Sequence, residues 1–208
     1  MNKTDLFAAI RKATTFPEGY LRTELPEWDA SILKSSQQPA SAEKEAVWKT
    51  FCERFGAVNG ETVAGLIELV AFLQEHSATY GYLAPELDAS IGNALKTGTL
   101  KYETEFDDTR VDDYTYGITR AAGIVAETGS VVLKESSTSS RLGALAPWIH
   151  VTLIDDDTRY YPTLLDAVTD FGDEPYVVFA TGPSKTADIE GILIEGVHGP
   201  GRQVCCLL

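Results

Sequence analysis

Apolar positions recur at helical spacing in the first half of the chain. Val47, Trp48, Phe51, Cys52 and Phe55 fall at i, i+1, i+4, i+5 and i+8, which predicts a helix over 41–55 with one apolar face. The pattern repeats over 61–75 with Val63, Leu66, Ile67, Val70 and Leu73 inward, and His76 stands at the carboxyl end, where a cation is favoured. Between them Ala57-Val58 reads as a brief strand. Shorter helices are predicted over 89–96 and over 161–171, the latter with Leu164, Leu165 and Val168 inward. Ahead of all these, Leu6, Phe7 and Ile10 give 1–15 one apolar side. Pro17, Pro26 and Pro39 then break 16–38 into an arm too rich in Tyr20, Leu21, Trp28, Ile32 and Leu33 to be a solvated linker.

Later in the chain, continuous apolar runs replace the helical period. Residues 121–127 and 130–133 read as strands divided by Thr128-Gly129, and 147–154 as another, with His150 a satisfied, half-buried core residue. Residues 176–180 end in a Gly182-Pro183 turn with a helix expected from Ser184, and 203–208 form a terminal strand. The segment 80–87 is short and apolar, 100–113 is an acidic loop or edge strand, and 114–119 is a turn or short helix containing Gly117. Strands alternating with helices predict an α/β domain over 55–208, with 1–54 an N-terminal helical extension. No repeat period is visible.

The expected strand–turn–helix junction at 176–190 is where an open α/β sheet collects ligands, because the first N–H groups of a helix have no intrahelical partner. Ser184 is placed as its N-cap, with Asp188 and Glu190 adding negative charge to the first turn. It is not a phosphate-cradling P-loop: Ser184, not Gly, precedes Lys185-Thr186, and Phe179 occupies the first glycine position. Glu127, ending a buried strand, suits a general base or nucleophile if desolvated, with Thr128 and Gly129 beside it; the other reading is a turn cap or an ion pair with Arg120 or Arg141.

Charge and composition narrow the chemistry further. Seventeen Lys and Arg against 31 Asp and Glu give a formal charge of −14, which opposes a nucleic-acid or anionic-membrane surface and suits a cytoplasmic protein. No long apolar stretch follows Met1–Asp5, so neither a signal peptide nor a membrane span is expected. Cys52, Cys205 and Cys206 have no metal-ligand spacing, and His76, His150 and His198 are far apart, so no metal or other cofactor is expected. Asp107, Asp108, Asp112 and Asp113 lack the pattern of a calcium loop and read as a solvated acidic surface.

Five blocks together resemble one family: Gly117-Ile118-Thr119; Ala126-Glu127-Thr128-Gly129-Ser130; Pro147-Trp148-Ile149-His150; Thr181 through Glu190; and Gly196-Val197-His198-Gly199-Pro200. Their order and spacing are similar to those of the LUD-domain proteins of lactate utilisation. That resemblance implies a three-layer α/β sandwich similar to the NagB/RpiA/CoA-transferase-like fold. It also implies a place in oxidation of L-lactate to pyruvate beside iron–sulfur and oxidoreductase subunits, which would hold the electron carriers this chain's cysteines do not. The expected ligand is a small anion, a 2-hydroxy or 2-oxo acid or a phosphate. Gly182, Ser184, Thr186 and Asp188 would line its site, and Glu127 and His198 would do acid–base work. The alternatives are a CoA-transferase- or sugar-phosphate-isomerase-like enzyme using Glu127-Thr128-Gly129, and a purely structural subunit that binds partners.

Overall fold

The computed structural model describes residues 41–134, 141–171, 174–187 and 193–208, together with Thr4, Asp5, Ala8, Lys12 and Pro39. The chain divides into two compact units, 1–35 and 36–208. In the first, Thr4, Asp5, Ala8 and Lys12 are helical, and the arm expected over 16–38 lies outside the described residues.

The second unit is built on a six-stranded, all-parallel sheet. Its strands are β1 (Glu61–Ala64), β2 (Tyr80–Leu83), β3 (Lys101–Glu103), β4 (Tyr116–Arg120), β7 (Ile149–Ile154) and β12 (Arg202–Leu207), in the spatial order β1-β12-β7-β4-β2-β3. Helices α2 (Gly65–Glu75) and α3 (Asp88–Thr97) cover one face, where Leu69, Leu73, Ile91 and Leu95 meet Ile118, Val151, Val204 and Cys206. On the other face lie α1 (Lys44–Ala57), α4 (Arg141–Leu145) and a four-stranded sheet, β8-β5-β6-β9. That sheet comprises β5 (Gly123–Val125), β6 (Ser130–Lys134), β8 (Arg159–Tyr161) and β9 (Val177–Ala180). Val47, Phe51 and Phe55 of α1 pack with Ile124, Val131, Ile154 and Cys205 between the two sheets. Helix α5 (Leu164–Phe171) closes the outer side of the small sheet through Ala167 and Phe171. The expected three-layer α/β sandwich is the architecture found.

Several local expectations are corrected. Residues 61–64 are a strand, not a helix start; Gly65 opens α2, and Ile67 is 90% exposed because its side of the helix faces away from the sheet. Ala57 ends α1 and Val58 begins a turn, so the brief strand expected at 57–58 is not formed. Residues 116–120 form β4, in the middle of the large sheet, because Tyr116 and Ile118 alternate with Gly117 and Thr119 across its two faces. On α5 the buried positions are Ala167 and Phe171, while Leu165 and Val168 face outward. Residues 185–187 are a strand, β10 (Lys185–Ala187), paired antiparallel with β11 (Leu193–Glu195). The helix expected from Ser184 therefore does not begin there, and its anion-binding first turn goes with it.

Candidate functional site

The centre of the large sheet, on the face toward α1 and α4, is polar. Gly117, His150 and Gln203 lie side by side in register, and Thr119, Thr152 and Cys205 form the row two residues on. The Thr119 hydroxyl donates to His150 Nε2 at 2.8 Å, Nδ1–H donates to Gln203 Oε1 at 3.0 Å, and Gln203 Nε2 reaches Thr152 Oγ1 at 3.2 Å. All four side chains are buried, and burial holds the imidazole neutral, with its pKa lowered to about 4. The histidine expected to be half-buried and satisfied is fully buried and satisfied. Both of its ring nitrogens are engaged within the core.

Gly117 leaves room above this row for α4: a β-carbon on Gly117 would stand 1.9 Å from the Gly143 carbonyl oxygen. Helix α4 then leads through Pro147 to Trp148, a residue 53% exposed whose ring packs against a glycine-rich loop. A β-carbon on Gly196 or Gly201 would come within 2.3 or 2.4 Å of that ring, so the loop can close around the indole only with glycine at both positions. Backbone bonds fix Ser184 to the same loop, its N–H on Pro200 O at 2.8 Å and its carbonyl accepting from Gly196 N–H at 2.9 Å. Ser184, His198 and Trp148 are thus neighbours at the amino-terminal edge of the parallel strands. Ligands were expected at the carboxyl edge. There Arg120 is met by Asp155 at 2.6 Å and Asp157 at 3.3 Å, so its charge is balanced.

Beside this loop lies a cleft of about 530 Å³, lined by Leu142, Leu145, Trp148 and Val197 together with Asp112, Tyr114 and His198. Among the described residues, the backbone N–H groups of Val197, His198 and Gly199 make no hydrogen bond to other backbone groups, so three successive donors lie beside a cleft of mixed polar and apolar lining.

The other expected site residues serve elsewhere. Glu127 accepts from Leu164 N–H at 3.0 Å, completing the start of α5, where Thr163 and Asp166 cap each other reciprocally. Glu127→Ala should therefore lower stability by about 1 kcal/mol and Glu127→Gln by less, since the amide oxygen still accepts; thermal unfolding of the two variants measures this. Thr128 Oγ1, Ser130 Oγ and Thr181 Oγ1 form a hydroxyl ladder with steps of 2.7 and 2.6 Å, tying the turn after β5 to the end of β9. Gly129 and Gly182 press against the carboxyl end of α1, next to Phe55 N and Val58 O. Lys185 caps that end, with Nζ 3.1 Å from Val58 O and 3.3 Å from Glu195. Thr186 lies in β10, and Asp188 lies outside the described residues.

No group of three His, Cys, Asp or Glu among the described residues is placed to hold a metal ion. Cys205 and Cys206 are buried strand residues, and burial raises both thiols, Cys206 to about 11. His76 bonds Phe72 O at 2.8 Å and its ring lies tilted against the Phe72 ring, 4.2 Å between centres, a structural role. Trp148, Gly201 and the backbone amides of 197–199 were not expected from sequence as parts of a site, although Trp148 and 197–199 stand in the blocks that carry the resemblance. The available signal was an aromatic residue just before a strand and a glycine-rich segment just before another.

The sequence pattern of the LUD domain matches residues 57–208. Lactate utilization protein C of Oceanobacillus iheyensis is 33% identical over 129 residues, covering 58% of this chain and 52% of that protein. The protein of the same name from Bacillus pumilus is 31% identical over 101 residues, 45% of this chain and 42% of that one. The chain thus spans about half the length of the curated relatives it matches. A crystal structure of a DUF162 family protein from Deinococcus radiodurans aligns with 82% of this chain and all of its own, at a TM-score of 0.45 and 17% identity. Among the described residues no helix is long and apolar enough to cross a membrane. Since the matched span runs from the last residue of α1 through β12 and takes in both sheets, the chain belongs to the LUD-domain family.

Proposed function

We propose that this chain is a non-redox component of L-lactate oxidation to pyruvate, and that it holds a small 2-hydroxy or 2-oxo acid in the cleft beside His198. The observation that carries the reading is the convergence of Trp148 and residues 196–199 on one cleft, which His198 lines and where the N–H groups of 197–199 make no backbone hydrogen bond among the described residues. The amides of Val197, His198 and Gly199 address the carboxylate. His198 hydrogen-bonds the 2-oxygen, and Leu142, Leu145 and Val197 receive the methyl group. A formal charge of −14 repels anions at long range, but screening within about 8 Å at physiological ionic strength leaves the local donors to decide. In this reading, electron transfer belongs to iron–sulfur and oxidoreductase partners. The family match and the printed name of the curated relatives support the pathway.

Calorimetric titration with lactate and pyruvate tests the site. His198→Ala should weaken binding about tenfold, the loss of about 1.4 kcal/mol expected for one polar contact to a charged ligand, with no change in unfolding midpoint. Equal affinity in wild type and variant would remove His198 from the reading. A second reading, a structural subunit that docks partners, draws on the exposure of Leu142, Leu145, Trp148 and Val197 around the same cleft. The CoA-transferase- or isomerase-like alternative rests on Glu127, whose carboxylate is engaged at α5.

A further inference from the structure

The sheet order leaves β3 as an outer strand whose only ladder partner among the described residues is β2. The N–H of Lys101 bonds Thr79 O at 3.2 Å. In a parallel ladder alternate residues address the same neighbour, so Lys101 and Glu103 address β2, and the N–H and C=O of Tyr102 point out from the sheet. An open groove of about 1240 Å³ runs along residues 99–107 on this side. The strand is held firmly: Tyr102 Oη donates to Asp88 at 2.5 Å, and Lys96 lies 5.3 Å from the centre of its ring.

We propose that this edge pairs with the same edge of a second copy of the chain, antiparallel about Tyr102. A two-fold axis at that residue lets the two Tyr102 backbones exchange both N–H···O=C bonds, which is the narrow hydrogen-bonded pair of an antiparallel ladder. The same axis sets Lys101 of each copy opposite Glu103 of the other, at the close, non-hydrogen-bonded positions where opposite charges attract and like charges repel. Moving the centre to Lys101 would face Lys101 with itself, and moving it to Glu103 would face Glu103 with itself. The charge pattern therefore selects one register. Single-sign charges commonly protect an open edge from pairing, whereas Lys101 and Glu103 together make this one self-complementary. Lys101 is exposed and the Glu103 side chain is 40% exposed, so both reach a partner. The interface is isologous and closes on itself, giving a dimer and not a filament.

Sedimentation equilibrium over a wide concentration range tests this on the full chain. Wild type should show a concentration-dependent dimer. Lys101→Glu should be monomeric at the same concentrations with an unchanged unfolding midpoint, and the double swap Lys101→Glu with Glu103→Lys should restore the dimer. Glu103 also sits 3.5 Å from Arg110, so a second measurement leaves the chain unaltered. Zero-length carbodiimide cross-linking of mixed normal and ¹⁵N-labelled chains should join Lys101 of one isotope to Glu103 of the other. A monomer at every concentration, a dimer indifferent to Lys101→Glu, or cross-links joining only residues of the same chain would overturn the proposal.

Discussion

Gly117→Ala is expected to destabilise the fold by about 3 kcal/mol, the upper range for forcing an atom into a packed core. The new methyl would stand 1.9 Å from the Gly143 carbonyl oxygen and 3.1 Å from the Pro147 ring, so α4 must lift from the sheet. Gly143 itself has no slack, since a β-carbon there would meet the Tyr82 ring at 2.2 Å. Lifting α4 also opens the His150–Gln203 row to water and moves Leu142 and Leu145, which wall the candidate cleft. Urea unfolding measures the loss. Gly56→Ala is the control, because no atom lies within 4 Å of the position a β-carbon would take and alanine suits a helix better. That variant should be neutral or slightly stabilised. A Gly117→Ala protein as stable as wild type would show that α4 does not pack as described.

The second large effect is a sensitivity to mild acid. His150 is held neutral in the native state with its pKa lowered to about 4 from an ordinary 6.5. Unfolding exposes the imidazole, which then takes up a proton at any pH between those values, so the unfolded state binds more protons there and stability falls as pH falls. Stability contributed by keeping His150 neutral is complete above about pH 6.5, declines through the interval and levels off below about pH 4, a total of about 3 kcal/mol. Asp107, Asp170 and Glu195, whose carboxyls hydrogen bonds hold below their ordinary values, add their own losses at still lower pH. Between pH 7 and pH 5 Glu86, whose carboxyl burial pushes up, works in the opposite sense, so the difference between wild type and a His150 variant isolates the histidine. His150→Gln keeps a neutral hydrogen-bonding side chain at every pH, so its stability should be lower than wild type at pH 7 but nearly flat down to pH 5. Equal slopes for the two proteins would place the acid sensitivity in another group.

The layers were legible in the sequence because burial imposes periods on it. The face of α1 was visible in Val47, Phe51 and Phe55, and the strand at 149–154 in the apolar Ile149, Val151, Leu153 and Ile154, interrupted by His150 and Thr152. The misreadings share a cause. Gly117 and Thr119 broke the apolar run of β4, yet both are dictated by what lies above them, α4 over one and His150 beside the other. Residues 61–64 continue the helical period of α2 by coincidence of spacing, and only parallel pairing with β12 pulls them into the sheet. Lys185–Ala187 followed a turn that commonly opens a helix, but pairing with β11 overrode the local signal.

The site was legible as sequence blocks and not as a constellation. The glycines near the end of the chain stood in a sequence block, but the object they approach, the Trp148 ring, lies about 50 residues earlier, just before β7, and could not be paired with them without the sheet order. Glu127 was noted at the end of a buried strand, and both readings of it were consistent with sequence. Its hydrogen bond to Leu164 N–H depends on where α5 starts, which is a tertiary fact.

The most direct measurement on the proposed function is a titration of ¹⁵N-labelled chain with pyruvate and lactate, following backbone amides by NMR. The account predicts saturable shifts centred on Val197, His198 and Gly199 and on the Trp148 indole, with small changes at Glu127 and along α5. Saturable shifts centred elsewhere, or none up to concentrations far above those of cellular 2-oxo acids, would contradict the assignment of this cleft as the ligand site.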